Sequence, residues 1–500
     1  MDRRIRISII VVVVVVLAYP AAAWLLGLSV AYQWKDREQH ALGQIPYITI
    51  VKRDYRRGVY TSTEEVTYGL SASILKSVRA AGHGEWGDRL QFTVHSEIHH
   101  GPLPQLRAFA PATVDTEIVL PPEVREKLAA ALGGKTGLTI HTRMKWFGGG
   151  TTLVKSTPFQ MPMQGGGEVA WRGLDAQIDL GRNYGTQAIK LNAPGLGVKG
   201  PTGNVSVGTL ELNTDTQLAF EAMNVGTTHV GLADVDVEDQ SKDFKLTLRK
   251  LSLDTKSVAS GDYLDTDFLL NADTVQVAKF AATRLNYDVH LDHIHGPSAA
   301  ALTKAIRAAQ TGAIDSSSPA DPAPKITEAF KTSGVEILLH DPVLDVQHTG
   351  FTTPDGELVL SLKATTPGIT RADLDVNPQL LGASVLKFLQ ATVDVRIDTA
   401  LLDKLLDSSG KGDTITAQLQ GLQRQGYIKL EGKSLTTHLT YQSGRLEVND
   451  LPFPPMPAAM PGGPGMPMTP GAPGPGAPMA PGRPHPPGAP GIPSAPGAPH

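Results

Sequence analysis

The chain has 500 residues, 45 basic against 49 acidic, a formal net charge of −4 and no cysteine. So even a balance gives no electrostatic footprint for nucleic acid, and the missing cysteine excludes disulfides, thiolate zinc sites, cysteine-ligated iron–sulfur clusters and thiol catalysis. The apolar fraction of 41%, diluted by a Pro/Gly-rich C-terminal stretch, still permits a sizeable core, and 6% aromatics means that Val, Leu and Ile must pack it.

The first element is an uncharged run from Ile7 to Tyr32. As a helix at about 1.5 Å per residue it spans roughly 39 Å, more than the ~30 Å hydrocarbon core of a bilayer. Arg3, Arg4 and Arg6 precede it against one acid, Asp2, which orients the N-terminus to the cytoplasm and exports everything after Tyr32. Residues 1–35 are therefore expected to be a membrane anchor. Ala21-Ala22-Ala23 also fits a signal-peptidase site, so a cleaved signal is the alternative. The run stays apolar through Trp24-Leu25-Leu26, and Trp24, Tyr32 and Trp34 stand where an interfacial aromatic belt would be.

A polar neck, Gln33 to Gln44, leads into strand-like sequence at Ile45–Val51, Gly58–Tyr68 and Leu90–His100. Pro121-Pro122-Glu123 opens a helix through Leu132 that Gly133-Gly134 stops. From Gly137 to about Val289 much of the sequence alternates, as in Leu138–Thr142, Leu210–Asn213 and Phe244–Leu248. This rhythm predicts a long antiparallel meander with one apolar and one polar face. Pro297 to Gln310 reads as a helix, with Ala299, Leu302, Ile306 and Ala309 on one face. Thr311 to Lys325 reads as a loop, Val335–His340 as a strand, and Pro354-Asp355-Gly356 as a turn between strands. Thr399–Leu406 and Thr414–Gln425 are short helices, and Tyr427–Val448 gives closing strands with Ser443-Gly444 at a hairpin turn.

The expected fold is α+β, predominantly antiparallel β. A β-rich exported domain over 36–311 and a second α+β unit over 325–450, packed on the first, are joined by a linker at 312–324. The stretch 451–500 holds half of the chain's 38 prolines. Such sequence cannot complete hydrogen-bond ladders and predicts a disordered tail.

Catalytic strings fail on context. Gly195-Leu196-Gly197-Val198-Lys199-Gly200 matches a dinucleotide fingerprint, but a turn and a strand follow where a helix is required. Ser73-Ile74-Leu75-Lys76 and Lys135-Thr136-Gly137 match two penicillin-binding elements without the third between them. His95, Glu97 and His99 share one face of a predicted strand, which admits a zinc ion or an ordinary polar face. No catalytic, cofactor or metal residue is expected.

The strongest pattern is a duplication. Val94-His95-Ser96-Glu97-Ile98-His99-His100-Gly101-Pro102 recurs as Val289-His290-Leu291-Asp292-His293-Ile294-His295-Gly296-Pro297. The apolar parity Leu90, Phe92, Val94, Ile98 is matched by Leu285, Tyr287, Val289, Leu291, and Ile294 then breaks it. His100, Gly101, Pro102 and His295, Gly296, Pro297 are read as a structural device that ends a strand and turns the chain, rather than as binding histidines.

With Trp24 after the anchor, Gly58-Val59-Tyr60-Thr61-Ser62, Ile98–Pro104, Gly426-Tyr427-Ile428 and Gly444–Asp450, residues 1–455 resemble the YdgA-like family of bacterial envelope proteins. The resemblance implies a single-pass inner-membrane protein with its bulk in the periplasm, without an established activity and without catalytic residues to carry over. The leading functional expectation is a non-enzymatic binding, scaffolding or bridging module. The alternatives are lipid or other hydrophobic-ligand binding in an apolar sheet groove, and an enzyme. The membrane is the expected partner, with an envelope protein, a lipid or a second copy left open, and no nucleic acid.

Overall fold

The structure is a computed structural model that describes residues 19–20, 22–38, 48–71, 74–75, 91–119, 122–133, 137–163, 166–221, 223–241, 243–278, 280–315, 323–375, 381–409 and 412–453. Every described residue lies in the first of the two units into which the chain divides, residues 1–454. The first unit is built on one sheet. Its early strands are β1 (Ile48–Arg56), β2 (Thr61–Leu70), β3 (Phe92–His100), β4 (Ala112–Val119), β5 (Leu138–Met144), β6 (Gly150–Ser156), β7 (Phe159–Pro162) and β8 (Glu168–Trp171). There follow β9 (Leu174–Leu180), β10 (Thr186–Ala193), β11 (Leu196–Lys199), β12 (Gly203–Val207), β13 (Leu210–Phe220), β14 (Met223–Asp239), β15 (Phe244–Ser260) and β16 (Tyr263–Val277). The last are β17 (Phe280–His295), β18 (Val343–Thr353), β19 (Gly356–Thr365), β20 (Gln390–Asp398), β21 (Lys429–Glu431), β22 (Ser434–Gln442), β23 (Arg445–Val448) and β24 (Leu451–Pro452).

Pairing among these strands is antiparallel and mostly follows the chain. It runs β1 to β6, skips to β9 and β10, skips again to β13, and then proceeds consecutively to β20, where β22 takes over. The skipped strands form a branch, β7–β8–β11–β12, that joins the far half of β14. The meander expected from the alternation is thus present. β17 pairs directly with β18, so the ladder crosses the position of the expected linker without a break. On the connecting segment the helix begins at Gly296 and runs to Asp315, five residues beyond the expected end, while residues 316–322 lie outside the described set.

Register turns the alternation into a surface. Starting from Ser62, directly opposed partners are Ile98, Val114, Thr142, Thr152, Ile178, Ile189, Thr214, Thr228, Thr255, Phe268, Val289, Val346, Leu362, Val393, Leu439 and Val448. Only apolar residues, threonines and one serine occur in this row. At about 4.8 Å between strands it measures on the order of 75–80 Å along the sheet. Residues on either side of it in each strand point to the opposite face.

The apolar face is covered at its start. Residues 22–38 are helical and pack there. Ala23 and Val30 are fully buried, and Val30 joins Ile98, Ala112, Val114 and Met144 in a core flanked by Trp34 and Tyr55. The polar end of the helix is pinned too. Trp34 Nε1 donates to Glu64 Oε2 at 2.6 Å, Arg53 Nε donates to Glu64 Oε1 at 2.7 Å, and Arg37 Nη2 donates to Thr152 Oγ1 at 2.9 Å. This corrects two expectations. Residues 22–32, assigned to the membrane span, dock their small face on the sheet, and residues 33–38, assigned to a neck, continue the helix. The cause is its spacing: Ala23, Gly27, Val30 and Trp34 recur every three or four residues and meet the sheet. Among the described residues no helix is long and apolar enough to cross a membrane. Arg3, Arg4, Arg6 and half of the expected span lie outside the described set, as do the C-terminal stretch from 454 and four of the seven penicillin-binding residues singled out above.

One predicted strand is helical. Val335–Leu338 continues the helix Ala323–Ala329 through a π-turn at Phe330–Gly334. A short apolar run is ambiguous between the two states, and the continuing helix decided it. The helices Pro122–Leu132, Thr399–Ser409 and Gly412–Arg424 stand where expected. Leu196–Lys199 within the glycine-rich string is a strand, as its context required.

Candidate functional site

Beyond the N-terminal helix the apolar face is only half covered. Ile178, Ile189, Phe268, Leu362 and Val393 are intermediate in exposure, in contrast to the buried Ile98 and Val114 under the helix. A parallel row, Ile140, Val154, Ala176, Leu191, Leu212, Val230, Leu253, Leu270 and Tyr287, is equally in register and more apolar. In the branch, Met161, Val169, Val198, Val205, Val237, Leu246, Val277 and Phe280 oppose one another without a polar residue among them. Val277 and Phe280 at its end are exposed, and Phe280 meets the Phe351 ring edge-on at 5.9 Å. A single sheet with so much apolar surface left partly wet is unusual for a chain that buries its own hydrophobic groups.

The opposite face is a ladder of charges. Four histidines each hold, through Nδ1, an aspartate directly across on the neighbouring strand: His141 with Asp115 at 2.7 Å, His229 with Asp254 at 2.6 Å, His290 with Asp267 at 2.7 Å and His438 with Asp394 at 2.6 Å. Asp288 lies 3.1 Å from His290 Nε2. The hydrogen bond that His290 Nδ1 donates to Asp267, reinforced by the charges of Asp288 and Asp292, raises the His290 pKa above its ordinary value. A hollow of about 450 Å³ on this face is lined by Lys190, Asn213, Thr227, His229, Asp254 and Lys256 among others. Sequence alternation places these residues on the polar face; only register reveals that each histidine meets an acid.

His95, Glu97 and His99 do not converge on a common point. His99 is held by Thr61 Oγ1 at 3.1 Å and Gln105 Nε2 at 2.6 Å, with Glu97 3.9 Å away. Among the described residues no set of three or more His, Asp or Glu is arranged to hold a metal ion.

The two copies of the duplicated signature part company after the last histidine. β3 ends at His100 and β17 at His295, as the pattern predicts. In the first copy Gly101 takes φ 129° and the chain turns into a loop. In the second the turn expected at Gly-Pro is itself the first turn of the helix Gly296–Asp315, the helix that the sequence predicts from Pro297. The break in parity at Ile294 is a bulge: Leu264 opposes Ile294 but Thr266 opposes Leu291, and His293 takes φ 59°. Each copy seats a different helix. His100 is buried, with Nε2 2.8 Å from Ser62 Oγ and Nδ1 3.2 Å from the Val59 carbonyl, and a Cβ on Gly27 of the N-terminal helix would lie 3.0 Å from its ring. Burial holds its pKa below the ordinary value. His295 Nδ1 meets Ser298 Oγ at 2.7 Å in the first turn of the following helix. Pro102 and Pro297 follow as the residues that end ladder pairing.

The profile of a family described as a bacterial protein of unknown function (DUF945) matches residues 1–456. The chain belongs to the DUF945 family. No curated protein and no solved structure matches it. The match covers every described strand of the DUF945 sheet, both signature copies and the N-terminal helix, and ends at the Pro/Gly-rich segment. It sets the expected resemblance at a coarser level, a bacterial family without an assigned biochemical activity.

Proposed function

We propose that this DUF945 protein is a non-enzymatic binding module of the bacterial envelope, of YdgA-like type, anchored in the inner membrane by its N-terminal run and exposed to the periplasm. Its ligand is an extended apolar chain, such as the acyl chain of a lipid, laid along the uncovered apolar face. One observation carries this reading: the registered apolar rows continue, half exposed, past the N-terminal helix. Burying a Val, Leu or Ile side chain against such a ligand is worth ~1.5–3 kcal/mol, so a few contacts in series give useful affinity without directional chemistry. The few polar groups in the rows, mainly threonine hydroxyls, suit a ligand without hydrogen-bonding specificity along its length.

The test is photocrosslinking in the intact protein. A photoreactive residue at Leu212, Val230 or Leu253 is expected to capture lipid detectable by mass spectrometry, whereas one at Asn213 or Thr227 on the opposite face is not. Equal capture from both faces, or none from the apolar face, overturns the reading.

A further inference from the structure

At the end of the sheet where β3 turns to β4 and β5 turns to β6, large apolar side chains stand in solvent. Leu106, Phe109 and Phe147 are 83%, 72% and 83% exposed. The rings of Phe109 and Trp146 lie 5.1 Å apart, so the two loops make one patch. Gln105 and Leu106 both take left-handed backbone angles, φ 50° and 58°. Residues with side chains adopt that conformation at a cost, and here it presents Leu106 outward. Arg107 and Lys145 belong to the same loops.

The first described residues of the N-terminal helix stand at this patch. The Tyr19 hydroxyl donates to the Leu103 carbonyl at 2.8 Å, and the Arg57 guanidinium covers the Trp24 ring at 4.6 Å. Charge-free sequence starts at Ile7, directly after Arg6. A helical span needs about 20 apolar residues, which carries it to about Leu26. Yet Ala23 is fully buried on the sheet and Gly27 rests on His100. The length the bilayer needs and the length the sheet holds overlap by about four residues. Both are satisfied only when this end of the sheet is sunk into the headgroup region. We propose that loops 101–111 and 145–149 form a membrane-contacting rim, with Leu106, Phe109 and Phe147 inserted at the surface of the bilayer from which the chain emerges. Aromatic and aliphatic groups flanked by cations suit that interface. The proposal rests on the membrane anchoring put forward above.

The chain has no cysteine, so Leu106→Cys, Phe109→Cys and Phe147→Cys each create a single labelling site in the full-length protein. Leu430→Cys, exposed on β21, serves as the reference. The labelled proteins are reconstituted into vesicles of phosphatidylethanolamine and phosphatidylglycerol, and a bimane label is quenched by doxyl lipid or by aqueous iodide. Rim labels are expected to be quenched several-fold more by doxyl lipid than the Leu430 label, and less by iodide. Rim labels quenched only by iodide overturn the proposal, as do labels shielded from both quenchers, which indicate a protein partner on the patch. Flotation of the same vesicles separates the failures. Protein that floats with a wet rim removes the rim alone, and protein that does not float removes the anchoring and the rim together.

Discussion

His295 and His340 stack face to face, with ring centroids 3.8 Å apart and planes 15° from parallel. They stand at the two ends of the helical segment between β17 and β18, one just before Gly296 and the other just after the last helix. Tyr263 lies edge-on to both at 6.1 Å and stacks on His293, whose Nδ1 lies 2.7 Å from the His340 carbonyl. The excursion of the chain away from the sheet is therefore closed by aromatic contacts between its two ends.

Two stacked imidazoles cannot both carry charge cheaply. Burial, and then the neighbouring His340, hold the His295 pKa below its ordinary value, against a smaller opposing pull from Asp262 and Glu336. A lowered folded-state value contributes stability that is present above the unfolded value of about 6.5 and is lost as pH falls through it toward the folded value. The thermal midpoint is thus expected to drop as pH falls from 7 to 5. His340→Gln should flatten that drop and move the His295 titration upward by NMR. An unchanged titration would show that the stack has no electrostatic consequence.

His290 carries the opposite sign. Its pKa is raised first by the hydrogen bond to Asp267. Its contribution is complete below about pH 6.5 and is lost as pH rises through the raised folded value. Asp267→Asn should lower the His290 titration midpoint and reduce that loss, Asp288 and Asp292 sustaining the rest, and leave the His295 effect in place. The check is to follow both imidazoles in one NMR titration.

Glu64 is buried, and its two oxygens are taken by Trp34 of the N-terminal helix and Arg53 of β1. Removing it leaves the Arg53 charge with only Glu38 and strips Trp34 of its acceptor. Glu64→Ala is expected to destabilise the first unit by about 3–5 kcal/mol in chemical denaturation, the usual cost of breaking a buried pair. A loss under about 1 kcal/mol would mean the helix is held by its apolar face alone.

Much of the sheet was legible because strands announce themselves by period. The alternation in Phe244–Leu248, Leu210–Asn213 and Leu90–His100 identifies strands and their apolar sides, and Pro354-Asp355-Gly356 and Ser443-Gly444 stand at turns as their chemistry requires. Register is not local, so nothing in the sequence tells that His229 faces Asp254 or that Ser62 and Val448 end the same row. The N-terminal run was misjudged past residue 21 for a different reason. Hydropathy reads a small, apolar helix face identically whether it meets lipid or Ile98 and Val114. Val335–Leu338 shows the third limit, a short apolar run whose state is set by the helix that precedes it.

The two signature glycines should fail for different reasons. Gly101 has φ 129°, a region closed to side-chain-bearing residues, so Gly101→Ala strains the backbone whatever surrounds it. Gly296 has no such angle, but a Cβ there would lie 2.2 Å from the Phe220 ring. Gly296→Ala must therefore push that ring aside, an overpacking cost of about 1–3 kcal/mol. Phe220→Ala makes room, so the pair should be strongly non-additive, the double variant recovering most of the Gly296→Ala loss beyond what Phe220→Ala itself costs. Tyr19 is the side chain nearest a Cβ on Gly101, at 3.0 Å, yet Tyr19→Ala should not recover Gly101→Ala. Chemical denaturation of the two cycles decides between these accounts. Rescue in both would make the glycines equivalent packing sites, and rescue in neither would place the strain of Gly296 in its backbone.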